Sequence, residues 1–251
     1  MKLSMIVLCY ASSVGGAKPF NGKVWHIAEN YLDHISPFET GKFRKVQISL
    51  KPESGEQVFE ALDVLDVRRG PFELATLLAM ERIEFRHAAL YIIHDAMMKL
   101  AIRQGWDTAS LQQAFDKLDN STLDRIVERN KVVFNPNRSR RAMLVGHHDE
   151  ESFRVYAAVW KEQSDRPAMH QMWETKPIYV YYQPVFGRLK WRDNRTLLLL
   201  SRANEVVAEL DTETANVLDI STRSTRPSQS PNDSSSRFFI RGFGKPGDKV
   251  Q

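Results

Sequence analysis

Four side chains between residues 84 and 94 have the types and spacing to do chemistry together. Glu84, His87, Tyr91 and His94 follow at steps of three, four and three, and on an α-helix those steps form one stripe. Glu-x-x-His is a unit that di-iron bundles use twice; here it occurs once. A catalytic metal takes about three protein ligands, and His87 and His94 stand about two helical turns apart, too far for one ion on a straight helix. Glu84, His87 and His94 are therefore metal-ligand candidates of low rank. The plainer expectation is an amphipathic stripe whose imidazoles bond to neighbouring side chains.

A second cluster is Gly146-His147-His148-Asp149-Glu150-Glu151. His147, His148 and Asp149 could hold a divalent ion or supply an acid/base pair. The alternative function read from the chain is accordingly a metal-dependent hydrolase, with His94 folded against them. On a strand, however, adjacent side chains diverge to opposite faces, and an exposed polar turn is the simpler expectation. Arg138, Arg140 and Arg141 form a short basic run, more commonly a solvated face than a phosphate site. No nucleophile elbow, phosphate loop, dinucleotide-binding glycine pattern or HExxH zinc motif is present. No cofactor is expected. The remaining concentration is aromatic: Trp173, Tyr179, Tyr181, Tyr182, Phe186 and Trp191. Read as a strand, the tyrosine run carries rings on both faces, one for the core and one for a partner. Tyr, Trp and Arg dominate interface hot spots, so Tyr181, Tyr182, Trp191 and Arg192 are the expected partner-binding residues.

The elements that must position these groups divide along the chain. LSMIVLCYA reads as a buried first strand; a short export signal ending near residue 17 is the alternative. Val24, Ile27, Tyr31 and Ile35 recur at helical spacing. Residues 42–50 read as a strand, and QVFEALDVLDV is open between helix and strand. Pro71 opens a long helix over 72–104, Gly105 stops it, and Asp107 or Thr108 caps the next helix, packed through Leu111, Ala114, Phe115 and Leu118. A third short helix is expected over 123–130. The character changes at residue 132, with a loop at Asn135-Pro136-Asn137, and from Arg141 onward the period is mostly two, in RRAMLVGHH, SFRVYAAVWK, PIYVYYQPVF, LKWRD, TLLLLSR and EVVAELD. The expected class is α+β: a strand-and-helix part with a long helix and helix–turn–helix (1–131), then a mainly antiparallel β region (132–220). The Ser/Pro/Arg-rich tail (221–251) is expected to be disordered.

Composition narrows the function. Of the 251 residues 42% are hydrophobic, and one is cysteine, so no intrachain disulfide can form. No apolar run reaches the roughly 20 residues that span a bilayer, and a cytoplasmic protein is expected unless residues 1–17 are an export signal. The net charge of +4 is that of residues 221–251 alone, which hold six Lys/Arg and two Asp; the other residues balance at 29 basic and 29 acidic. A neutral body gives no reason to expect a specific nucleic-acid partner.

One resemblance follows from short motifs spread over about residues 43–210. Phe43-Arg44-Lys45-Val46, Ile93-His94-Asp95-Ala96, Leu100-Ala101, Gly105-Trp106-Asp107 and Ala114-Phe115 are followed by Gly187-Arg188-Leu189-Lys190-Trp191 and Thr196 to Leu200. This order resembles bacterial immunity proteins of polymorphic, contact-delivered toxin systems. The resemblance implies an α+β protein that neutralises a protein partner, a cognate toxin, by stoichiometric binding, with no catalytic residues to carry over.

Overall fold

The structure is a computed structural model and describes residues 1–11, 17–35, 37–161 and 164–220. The apolar first run is β1 (Met5–Tyr10), half-buried only at Met5 and Cys9. It pairs in parallel with β2 (Lys45–Leu50), which pairs in parallel with β4 (Val64–Gly70); β3 (Gly55–Ala61) lies antiparallel to β4. The stretch left open between helix and strand is thus the β3–β4 hairpin. A parallel β1–β2 step requires a crossover, and α1 (Ala17–Ile35) supplies it, burying the expected Val24, Ile27, Tyr31 and Ile35 together with Phe20. Val46, Ile48, Leu50, Leu65 and Val67 point under the helices. On the other face of the sheet Gln47, Ser49, Asp66 and Arg68 form a hydrogen-bonded row.

The helical run over 72–104 is two helices, α2 (Leu74–Ala79) and α3 (Arg82–Gln104), because Met80 (ψ 146°) and Glu81 (ψ 151°) are extended. Neither residue type breaks a helix. The bend turns α2 onto α1 and buries Leu77, so tertiary packing overrides local preference. Gly105 ends α3 in the left-handed conformation (φ 69°), which a side chain would resist. The Asp107 carboxylate then accepts from the amides of Ala109 (3.0 Å) and Ser110 (3.2 Å) and starts α4 (Thr108–Asp119). Helices and sheet close a first core that runs from Leu3 to Leu123.

The second half is two antiparallel meanders. The first is β5 (Arg125–Phe134), β6 (Arg140–His148), β7 (Phe153–Lys161) and β8 (Ala168–Thr175); the second is β9 (Arg188–Trp191), β10 (Thr196–Leu200), β11 (Val206–Asp211) and β12 (Val217–Asp219). Between them lies a short helix, α5 (Tyr179–Tyr182). Two local expectations are corrected here. The helix expected over 123–130 is the start of β5, whose pairing from Arg125↔His148 to Arg129↔Leu144 outweighs the local cap signal. The strand expected at PIYVYYQPVF is α5: Pro177 and Pro184 bracket it, and neither can donate to a ladder. Strands β8 and β12 had no expectation of their own. The two sheets stack over a second core between Ala142 and Leu210, with β8 against β11 and β12 and β9 against β5 and β6. The class is α+β, as expected. The expected division at 131/132 falls inside β5, and residues 221–251 lie outside the described residues. No helix among the described residues is long and apolar enough to cross a membrane.

A polar seam joins the two cores. Glu29 of α1 accepts from the Tyr182 hydroxyl (2.6 Å), Arg125 Nη1 (2.7 Å) and His148 Nδ1 (3.1 Å). Arg86 of α3 donates through Nε to Glu150 (3.0 Å) and pairs with Asp124 (2.7 Å). Burial alone would raise the Glu29 carboxyl, but the His148 hydrogen bond and the Arg125 charge bring it below the usual range. His26 is fully buried 4.0 Å from Glu150. Burial first, then the fields of His148 and Arg86, holds it well below the usual imidazole range.

Candidate binding surfaces

The helical stripe resolves into separate structural pairs. Glu84 is exposed. His87 Nδ1 meets the Asp119 carboxylate of α4 at 3.0 Å. His94 Nδ1 lies 3.0 Å from the Tyr31 hydroxyl, and its ring stacks on Phe115 at 4.3 Å; burial holds it below the usual imidazole range. The second cluster is likewise engaged. His147 Nε2 faces Asp124 at 3.3 Å, while His148, on the opposite face of β6, turns to Glu29 and the Pro177 carbonyl (3.3 Å). Asp149 accepts from the amides of Glu151 and Ser152 (both 2.8 Å) and pairs with Arg154. Burial would raise its carboxyl, and the Ser152 and Glu151 amides instead bring it below the usual range. Among the described residues no group of three or more His, Cys, Asp or Glu is placed to hold a metal ion. The histidines and aspartate named for a hydrolase each have a protein partner.

The expected contact residues separate into core and surface. Tyr182 is buried, its ring stacked on Phe153 (4.0 Å, 9°). Burial first, then the Glu29 carboxylate, holds its phenol well above the usual range. Trp191 is 8% exposed and donates from Nε1 to the Val133 carbonyl (3.1 Å). Both side chains pack in the second core. A strand would put Val180 on the same face as Tyr182; the turn of α5 instead sends Tyr182 inward and leaves Tyr179, Val180 and Tyr181 exposed. Arg192 is exposed but pairs with Glu209 of β11 (3.0 Å). Tyr181 belongs to a run of four exposed apolar side chains: Ile178 (37%), Tyr179 (36%), Val180 (68%) and Tyr181 (53%). Trp25 of α1 approaches this run, its ring centroid 6.3 Å from that of Tyr179.

Protein-family models, curated proteins and solved structures were compared with this chain, and none matches.

A further surface had no expectation behind it. An open groove of about 960 Å³ runs where β5 and β9 meet. Its residues were in view separately: Arg188 and Lys190 alternate with the buried Leu189 and Trp191 on β9, and Arg129 and Lys131 fall in the segment expected to be helical or at its end. Only the pairing of the sheets brings them to one place.

Proposed function

We propose that this chain is a non-catalytic, immunity-like binding protein that neutralises a protein partner by one-to-one association through the α5 turn. The observation that carries the reading is the unbroken exposed run Ile178-Tyr179-Val180-Tyr181. Large apolar and aromatic side chains grouped at a surface mark interaction sites, and tyrosine is enriched at hot spots. The next residue makes the turn rigid: Tyr182 is stacked on Phe153 and hydrogen-bonded to Glu29. A preorganised patch loses less entropy on binding. A partner of standard size covers about 1,200–2,000 Å² in total, so the turn would be the centre of a larger contact. The resemblance to immunity proteins implies a toxin as the partner class.

The test uses tagged chain and nuclease-treated lysate of its native host, with light scattering of the recovered complex. One protein partner at one-to-one stoichiometry is expected. The double variant Val180→Asp/Tyr181→Asp alters only exposed side chains and should weaken the complex at least about thirtyfold, as expected for a hot spot of 2 kcal/mol or more. A complex indifferent to that variant, or recovery of no protein partner from the lysate, would refute the reading.

A further inference from the structure

The β sandwich is open on one side. β8 lies against β11 and β12, while the edge strands β5 and β9 meet across the groove. Two features of the backbone shape its walls. β5 is bulged: Arg129 pairs with Leu144 but Val133 with Ala142, so three residues of β5 lie opposite one of β6. Bulges bend a strand and re-aim its side chains. On the opposite wall, a Cβ on Gly187 would come within 2.3 Å of the Leu200 carbonyl oxygen, so the chain passes there without a side chain.

The lining is chemically one-sided. It holds five cations, Arg129, Lys131, Arg188, Lys190 and Arg202, and no carboxylate. All five are exposed, and none has an ion-pair partner among the described residues, whereas nearby Arg192 and Arg195 pair with Glu209 and Asp211. The body's charges cancel in sum, yet here one sign collects in a concavity, where a field is focused. Loss of hydration beside the groove wall, then the positive fields of Arg202 and Arg125, hold Arg129 below the usual guanidinium range, which agrees with cations crowded without counter-charge. Aromatic rings are set among them. Trp191 is fixed in the wall by its bond to Val133, Arg129 lies over Phe186 at 4.9 Å, and Phe134 presents an open ring, 55% exposed.

We propose that this groove binds single-stranded nucleic acid without sequence preference, its cations taking phosphates and Phe134 stacking a base. A cationic track with interleaved aromatic rings is the arrangement that suits an unpaired strand, because every base has a face to stack. A duplex turns its bases inward and offers Phe134 nothing. A carboxylate-rich protein segment would satisfy the cations but has no π face for the ring. Guarding the two sheet edges against pairing needs a few charges, not an open ring between them.

Fluorescence anisotropy of a short labelled oligothymidylate with the full chain tests this, with poly-L-glutamate and a duplex of equal charge as competitors. The basic tail is present in every variant, so differences report the groove. If all five cations meet phosphates, their share of the slope of log K against log salt is about −3.5, at about −0.7 per contact. Arg129→Ala/Lys190→Ala should weaken binding at least tenfold and reduce the slope by about 1.4. Phe134→Ala should weaken it by about fivefold or more at unchanged slope. All three residues are exposed, so an unchanged melting curve is expected for each variant. Undetectable binding at low salt, an unchanged slope in the double variant, or indifference to Phe134→Ala with poly-L-glutamate competing equally would each overturn the proposal, the last in favour of an acidic protein segment.

Discussion

Replacing Glu29 by alanine should be among the most damaging single changes outside the apolar cores. The carboxylate is the shared acceptor of Tyr182, Arg125 and His148, and those donors come from α5, β5 and β6. The three do not suffer equally. Arg125 keeps Asp33 at 2.7 Å and His148 keeps the Pro177 carbonyl at 3.3 Å, whereas the buried Tyr182 hydroxyl loses its partner. An orphaned buried hydroxyl costs about 1–3 kcal/mol and a lost charge-assisted bond about as much. With Asp33 offsetting part of the second, a total of about 3 kcal/mol follows, within the range for breaking a buried pair. In urea that is a midpoint lower by about 1 M at a slope of about 3 kcal/mol/M. Tyr182→Phe combined with Glu29→Leu removes donor and acceptor together, so the double variant should cost less than the two singles added, by about 1 kcal/mol. The pH response has a definite sign. The folded carboxyl lies below its ordinary 4.5, so its contribution is full above that pH and is lost as pH falls further. Glu29→Ala should flatten the curve in that window. A measured cost under about 1 kcal/mol, or strict additivity with Tyr182→Phe, would refute the seam as described.

Three more outcomes are checkable by the same unfolding measurements. His26, held well below its ordinary 6.5, stays neutral when folded but takes a proton when unfolded, so stability should decline as pH drops through about 6.5, and His26→Phe should make that decline shallower, leaving the share of His94, which is lowered in the same direction; an unchanged slope would count against it. Asp107→Ala deletes the N-cap of α4 and should cost about 1 kcal/mol, with Asp107→Asn restoring most of it. Gly22 has open space at its Cβ position inside α1 and Gly187 does not, so Gly22→Ala should stabilise by about 0.5–1 kcal/mol while Gly187→Ala destabilises by about 1–3 kcal/mol; equal effects would show that the β9 wall yields.

What could be read from the residues was local. The face of α1, the glycine stop after Gln104, the Asp107 cap and the period-two runs of β6 and β7 all rest on neighbours three or four positions away or on alternation, and each appears where expected. What failed was decided by distant partners. The bend at Met80-Glu81 carries no breaker residue, and β5 became a strand because β6 offered it a ladder. The same limit governs the candidate sites. Spacing put Glu84, His87 and His94 on one stripe, but Asp119, Tyr31 and Phe115, which engage the two histidines, come from other helices. Val180 and Tyr182 would share a face on the expected strand, yet in α5 Tyr182 is buried and Val180 is exposed. A charge sum is blind to position: the neutral body conceals a groove with four cations on two edge strands more than fifty residues apart and a fifth, Arg202, in the turn between β10 and β11. The chain's own order thus determined helix faces, caps and strand alternation, which depend on short-range geometry. Only the tertiary structure decided which polar groups cancel one another and which are left facing solvent, because neutralisation and burial depend on distances between segments that sequence separation does not encode.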